Sequence, residues 1–370
     1  MLLTSPAGLW WAVHRFPTVG PIVADSLRAV FGVEAVARLE ELVYGAEDRV
    51  LQTVKGDEAP QARWETAPPG ANAAPTDAGA DAPRRFVPAN VGPVLAEWSA
   101  PGDGVWVPMP NALDPSAPPR LHKTLLHPDR NRSWAEVFVV VGSLDEVEVR
   151  FVIGRHEPKS QAKEAAAYAR PAVVPEADRG ALLLAFNGGF KTEHGWYGVK
   201  QDGITFVKPR EKVCTFGQTT SGELLIRTWT GLAAREPELA WYRQAPQCLV
   251  EDGALHVGLA QEKTTYWGAT LDGETVIRRS AVGLDGTGRR FFVAITNHTT
   301  ARAVAIALKH AGADHVAQLD VNWSYPKIVT YERVGDGALR AVGIAKGFEH
   351  QEDEYVGTRS QRDFFYVVSR

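Results

Sequence analysis

Gln318-Leu319-Asp320-Val321-Asn322-Trp323-Ser324 closes a passage that begins at Phe291-Phe292-Val293-Ala294-Ile295-Thr296-Asn297. Phe291 to Ile295 has the length and apolar character of a buried strand. Thr299 or Thr300 can cap a following helix, Val304, Leu308 and Ala311 fall on one helical face, and Gly312 stops it. His315 to Leu319 then reads as a second strand. The passage is therefore strand, helix, strand, and Asp320 stands at a strand end, where ligands commonly bind in sheets with helical crossovers.

Around this passage the composition limits the choices. The chain has 370 residues, 45% of them hydrophobic, with a net charge of −4, enough for one large domain and an accessory region. No long basic run marks a nucleic-acid partner. The 34 Gly and 24 Pro favour short strands and turns over a helical bundle. Cys214 and Cys248 are the two cysteines; they form a disulfide in an oxidising compartment or remain two buried thiols. No CxxC pair or HExxH spacing implies a metal, and no cofactor motif stands out.

Four regions follow from the punctuation. Residues 1–55 form an N-terminal helical segment: Ile22, Val23, Leu27, Val30 and Phe31 make one stripe ended by Gly32, and Val36, Leu39, Leu42 and Val43 a second ended by Gly45. Its apolar start, Met1 to Val13, is either the remnant of an export signal or membrane anchor or an ordinary amphipathic helix start. Residues 56–83 hold 9 Ala, 5 Pro and 3 Gly in 28 positions, the composition of a flexible linker. Residues 84–134 are a Pro-rich lead-in of irregular structure or edge strands. Residues 135–370 carry regular strand signals, starting with a hairpin of Glu136–Val141 and Val147–Ile153. Ala181–Phe186 reads as a buried strand, and further strands are expected near 197–207, 213–217, 223–229, 247–250, 280–285, 326–331, 340–345 and the C-terminal run. The fold class is α+β: an extensive mixed or antiparallel sheet with few helices.

Three motifs resemble the phosphodiester glycosidase domain family when taken in order: Ala185-Phe186-Asn187-Gly188-Gly189-Phe190, Arg279-Ser280-Ala281-Val282-Gly283-Leu284-Asp285, and Leu319-Asp320-Val321-Asn322-Trp323-Ser324. That family includes the uncovering enzyme of lysosomal hydrolases and bacterial proteins tied to exopolysaccharide. The resemblance covers roughly residues 135–370. It implies a hydrolase cleaving a sugar-1-phosphodiester in envelope or extracellular glycan metabolism, export from the cell, and a glycan or sugar-phosphate as partner. Membrane association would run through the N-terminus. The family strand ends in Leu-Asp-Gly-Gly-Gly-Ser, whereas Val321, Asn322 and Trp323 replace the glycines here, so close backbone approach to substrate is restricted.

The resemblance selects the site residues. Asp320 is the expected general acid or base and Arg279 the phosphate clamp, its planar fork matching two phosphate oxygens. His298 or His194 is the expected proton partner. Asn187, Gly188, Gly189, Asn297, Asn322, Trp323 and Ser324 are the expected substrate contacts. Asp285 is a fallback carboxylate, placed in an Asp-Gly turn. Each also has a purely structural reading: Asn187 as a turn residue, Arg279 as a charge on a strand, His298 as a helix start. The rival function is a non-catalytic glycan-binding or exopolysaccharide-assembly protein on the same fold, with Trp196, Tyr197, Trp323 and Tyr325 as stacking surfaces.

Overall fold

The computed structural model describes residues 48–56, 58–65, 85–160, 162–260, 264–267, 276–322, 324–335 and 337–370. Among these, antiparallel pairing builds three sheets. The largest contains β1 (Val107–Met109), β2 (Leu121–Leu126), β3 (Val137–Ser143), β11 (Val250–Glu251), β12 (Ala254–Leu255), β13 (Arg279–Leu284), β14 (Arg290–Thr296) and β15 (His315–Val321). Its spatial order is β1-β2-β3-β14-β13-β15-β11-β12. A second sheet holds β4 (Val147–Val152), β5 (Leu182–Asn187), β16 (Ile328–Val334), β17 (Ala338–Gly343) and β18 (Phe364–Ser369), in the order β17-β16-β5-β18-β4. The third holds β6 (Val199–Gln201), β7 (Ile204–Val207), β8 (Cys214–Thr219), β9 (Leu224–Thr228) and β10 (Leu239–Ala245), in the order β7-β6-β10-β8-β9. The α+β class holds.

The strand–helix–strand passage forms as its spacing predicts. The helix α1 (Ala301–His310) is capped by Thr300, whose hydroxyl accepts from Ala303 N at 3.2 Å, and Gly312 follows at φ 106°. Such a cap contributes about 1 kcal/mol. Val304 and Leu308 are fully buried against the large sheet, beside Val139, Ala281, Phe292 and Ala294. Burying each of the two aliphatic side chains stabilises by roughly 1.5–3 kcal/mol. The two strands joined by α1 are not neighbours: β13 lies between them, antiparallel to both.

The other face of the large sheet packs on the two smaller sheets. Phe138, Val140, Val282, Ile295 and Leu319 meet Phe151, Phe186, Phe365, Phe216 and Trp241 in one continuous core. Asp202-Gly203 and Asp252-Gly253 turn β6 into β7 and β11 into β12 with positive φ at all four residues, the geometry such pairs permit. The Cys214 and Cys248 sulfurs are bonded, tying β8 to the segment before β11.

Three expectations need correction. The strands of the expected hairpin exist, but β3 pairs with β2 and β14 while β4 pairs with β18. The chain turns a corner between sheets, because Phe138 and Phe151 bury on the same core from opposite sides. The lead-in supplies β1 and β2, and β2 is interior to the sheet, so the folded domain starts before residue 135. Residues 58–65 of the expected linker are docked: Trp64 packs on Phe138 at 5.9 Å between centroids, and Arg63 pairs with Glu136. Residues 48–55 are helical, as expected of that segment, and Asp48 on this helix pairs with Arg132 at 2.7 Å. The stripes of residues 18–47, the Met1–Val13 stretch, residues 66–84 and Trp323 lie outside the described residues.

Candidate functional site

One end of the large sheet collects polar groups from successive strands. His127 follows β2, Glu136 precedes β3, Asn297 and His298 follow β14, Arg278 and Arg279 open β13, and Asp320 ends β15. With strands about 4.8 Å apart, the row from His127 to Asp320 spans roughly 19 Å.

Which sheet face each group occupies is set by one irregularity. Arg279 pairs with Val321 and Ala281 with Gln318, so three steps along β15 oppose two along β13. That extra residue is a β-bulge, which re-aims the side chains beyond it. Gln318 stays on the helix side, with Arg279. Asp320 turns to the opposite side, with Ser280.

Asp320 thereby enters a buried cluster. The Ser280 hydroxyl donates to Asp320 O at 3.0 Å, and the Asn187 amide donates to Ser280 Oγ at 2.8 Å and to Gly188 O at 2.9 Å. Asn187 Oδ1 accepts from Lys327 N at 3.1 Å, and Asp320 N donates to Gly188 O at 3.2 Å. Asn187 and Ser280 are fully buried and Asp320 is 3% exposed. The first and third motifs thus meet through the serine of the second.

Two residues that the sequence reading left inside a closing strand complete the cluster. Arg362 Nη1 lies 2.6 Å from Asp320 Oδ2, and its Nη2 donates to Gly189 O at 2.8 Å. The guanidinium sits 3.8 Å from the Tyr325 ring centre. Asp363 Oδ2 accepts from Gly189 N at 3.1 Å and from Arg243 Nε at 2.9 Å. Asp363 O accepts from Gly188 N at 3.0 Å and from the Tyr325 hydroxyl at 2.9 Å. This explains the double glycine. A Cβ on Gly188 would run into the Asp363 carbonyl and carboxylate, and one on Gly189 would lie 2.7–2.9 Å from the Arg243 guanidinium. Neither glycine has positive φ. They are small because a buried ion pair passes directly behind the turn.

The remaining expected residues sit elsewhere. Arg279 is on the helix side, where it donates to Thr299 O, Trp267 O and Gln318 Oε1 at 3.2, 2.8 and 2.8 Å. Burial pushes its guanidinium down to about 9, still cationic at neutral pH. The structure does not bring it to Asp320, and strand phase explains why: the expectation assumed regular alternation through a bulged strand. Arg278 and Ser280 share the other phase. Asn297 bonds Glu136 and the Trp134 carbonyl, and His298 lies against Asp48 at 3.8 Å, toward the far end of the row. Burial holds His298 down at about 4. His194 ends the short turn Thr192–His194, which Glu157 anchors through Thr192. Asn322 Oδ1 accepts from Ser324 N and Oγ at 2.8 and 3.2 Å, closing the loop after β15 on itself. Asp285 caps its own turn by accepting from Arg289 N, Arg290 N and Thr287 Oγ1. Trp196 is 54% exposed, whereas Tyr325 is occupied by Arg362.

Electrostatically the cluster balances two guanidiniums against two carboxylates. Burial raises the Asp320 carboxyl above its ordinary value, against the pull of Arg362; the Asp320 charge in turn offsets burial and keeps Arg362 firmly protonated. An acid whose proton affinity is raised and whose orientation is fixed can act in proton transfer. Arg362 Nε has no partner among the described residues. Sequence reasoning missed Arg362, Asp363 and Arg243; a charged pair preceding an apolar strand was the available signal, since such charges are seldom buried unpaired. At the other end of the row His127 Nδ1 bonds Asp103 at 2.8 Å, both fully enclosed. Among the described residues no three His, Cys, Asp or Glu side chains converge as a metal ligand set. None of the described helices is long and apolar enough to cross a membrane.

No family model matches the chain, and no curated protein matches it. Among solved structures it is similar to the catalytic domain of the zebrafish N-acetylglucosamine-1-phosphodiester alpha-N-acetylglucosaminidase auto-inhibited by its pro-peptide. That likeness has 15% identity and a TM-score of 0.43, covering 72% of this chain and 88% of the other. A hypothetical protein from Synechocystis is similar at 12% identity and a TM-score of 0.32, covering 69% of this chain and 65% of the other.

Proposed function

We propose that this chain is an exported hydrolase of the phosphodiester glycosidase type, cleaving the bond between the anomeric carbon of a sugar and a phosphodiester oxygen. The observation that carries the reading is the meeting of Asn187-Gly188-Gly189, Ser280 and Asp320 in one hydrogen-bonded cluster. They come from three separate motifs with no local reason to converge. The Cys214–Cys248 bond supports export, since such bonds persist in oxidising compartments.

In this reading water adds to the anomeric carbon as the carbon–oxygen bond breaks, and the bonding electrons leave with the phosphate. The transition state is oxocarbenium-like. Asp320 takes the proton of the attacking water, or lends one to the leaving oxygen. Arg362 assumes the role that the sequence assigned to Arg279, its positive charge and its Nε, which has no partner among the described residues, facing the phosphate. A phosphate monoester is a good leaving group, so one positioned carboxyl suffices.

A specific observation favours the rival, a glycan-binding protein without turnover: Asp320 is nearly fully buried and already paired. One experiment separates them. Purified protein is incubated with a hexosamine 1-(methyl phosphate) in ¹⁸O water, and reducing sugar is measured. Turnover with label in the sugar, reduced about 100-fold or more in Asp320→Asn, is expected. Label in the phosphate instead means phosphodiester cleavage. Absence of turnover in the native chain, or full activity in Asp320→Asn, defeats the hydrolase reading.

A further inference from the structure

A cavity of about 630 Å³ opens beside the polar row, between residues 62–64, Lys123 of β2 and the segment Gly343–His350 that follows β16 and β17. That is the size of a small-molecule site. Its lining carries Arg63, Lys123, Lys346 and His350, the aromatics Trp64 and Phe348, and no Asp or Glu.

The four basic groups are not equivalent. Arg63 is neutralised by Glu136, with Nη2 at 3.0 Å from Oε2. His350 turns Nδ1 toward Phe348 O at 3.2 Å. Lys123 is half-buried, its ammonium 4.4 Å from the Trp64 ring centre, and among the described residues no carboxylate pairs with it. Burial lowers its proton affinity, with no acidic neighbour to restore it. Lys346 is exposed at the rim and likewise has no carboxylate partner among the described residues. Holding a desolvated ammonium without a counter-charge is costly, and an anion entering the cavity removes that cost.

The wall is packed against the core and connected to the polar row. Phe348 meets Phe138 edge-on at 5.5 Å, and Arg278 lies 4.8 Å over its ring while donating to Gly347 O at 2.7 Å. Arg278 O accepts from Asn322 N at 3.2 Å, next to Asp320 in the β15 loop. The cavity and the Asp320 cluster are thus two stations on one side of the sheet.

We propose that this cavity binds the charged group of an anionic saccharide, held by Lys123 and Lys346. The anion follows from the lining alone; the sugar rests on the function proposed above. A phosphorylated sugar and a uronic acid share the required chemistry.

Calorimetric titration of the full chain tests this with hexosamine 1-phosphate, a uronic trisaccharide, inorganic phosphate and neutral hexosamine. The charged sugars should bind, more weakly as salt rises, and the neutral one should not. Lys123→Met and Lys346→Met should each weaken binding about ten-fold or more, as loss of a bond to a charged group does. Lys346 is exposed, so its replacement leaves the fold intact and keeps the test valid even where Lys123→Met unfolds. A preference for the phosphate or for the uronate names the source. Equal binding of neutral hexosamine, or unchanged binding in Lys346→Met, overturns the proposal. Inorganic phosphate binding as tightly as the charged sugars removes the saccharide from it. A failed turnover assay with intact, lysine-dependent binding defeats only the hydrolase reading.

Discussion

Removing Arg243 or Asp363 singly should destabilise the protein by about 3–5 kcal/mol, whereas removing both should cost far less than the sum. Their side chains are 1% and 0% exposed and pair at 2.9 Å. Asp363→Asn leaves a guanidinium enclosed without its counter-charge, and Arg243→Met leaves a carboxylate in the same state. The double variant leaves neither, losing only the neutral bonds to Gly189 N and to the Phe190 and Gln244 carbonyls. A coupling energy of about 2–3 kcal/mol is therefore expected, near the upper end for residues in contact. Urea unfolding at neutral pH measures it: with a slope near 3 kcal/mol per molar, each single variant should shift its midpoint down by about 1–1.7 M. Strict additivity within about 0.5 kcal/mol would show that the pair is not coupled, and with it the explanation of the double glycine would fail.

Gly188→Ala should lose about 1–3 kcal/mol of stability by overpacking against Asp363, while Gly180→Ala, with open space at its Cβ, should stay within about 0.5 kcal/mol; thermal melts of both variants decide it. His298 sets a pH dependence. Because its folded-state value is near 4 and its ordinary value 6.5, the unfolded chain takes up a proton between these pH values and the folded chain does not. Stability is present in full above about 6.5 and declines as pH falls through about 4, by about 3 kcal/mol in total. Urea midpoints across this range should flatten in His298→Gln, and an identical slope in both proteins would assign the effect to other groups.

The passage from Phe291 to Asp320 was legible because each signal there is local: an apolar run, a capping threonine, one helical stripe and a stopping glycine. Asn187 and Asp320 were legible for the same reason, since both end strands. Arg279 was misplaced because strand phase is a property of the pairing, and the bulge opposite it leaves no mark in Gln318-Leu319-Asp320. β10 was not foreseen: Arg243 and Gln244 interrupt its apolar run, although both are buried through partners far along the chain. Arg362 and Asp363 were read as part of a closing strand because Phe364 to Val368 dominates that window. The hairpin expectation failed on a similar point. Strands on either side of a short turn pair only when they belong to one sheet, and the core that separates β3 from β4 draws in residues as distant in sequence as Phe365. Trp64 and Arg63 were hidden in a composition dominated by alanine and proline, yet two large side chains suffice to dock the segment that bears them.

The single surplus residue in β15 also has a consequence for how this scaffold can change. Cutting the strand back by one position before Asp320 would restore regular alternation and leave the carboxylate opposite Ser280, on the side it already occupies, but at the loss of Leu319 from the core. The surplus residue thus lets one strand send an apolar side chain and an acid consecutively through the same face, with every neighbouring strand left as it stands. Lineages or designs built on this framework need not choose between packing and chemistry at this point, so long as the extra position is kept.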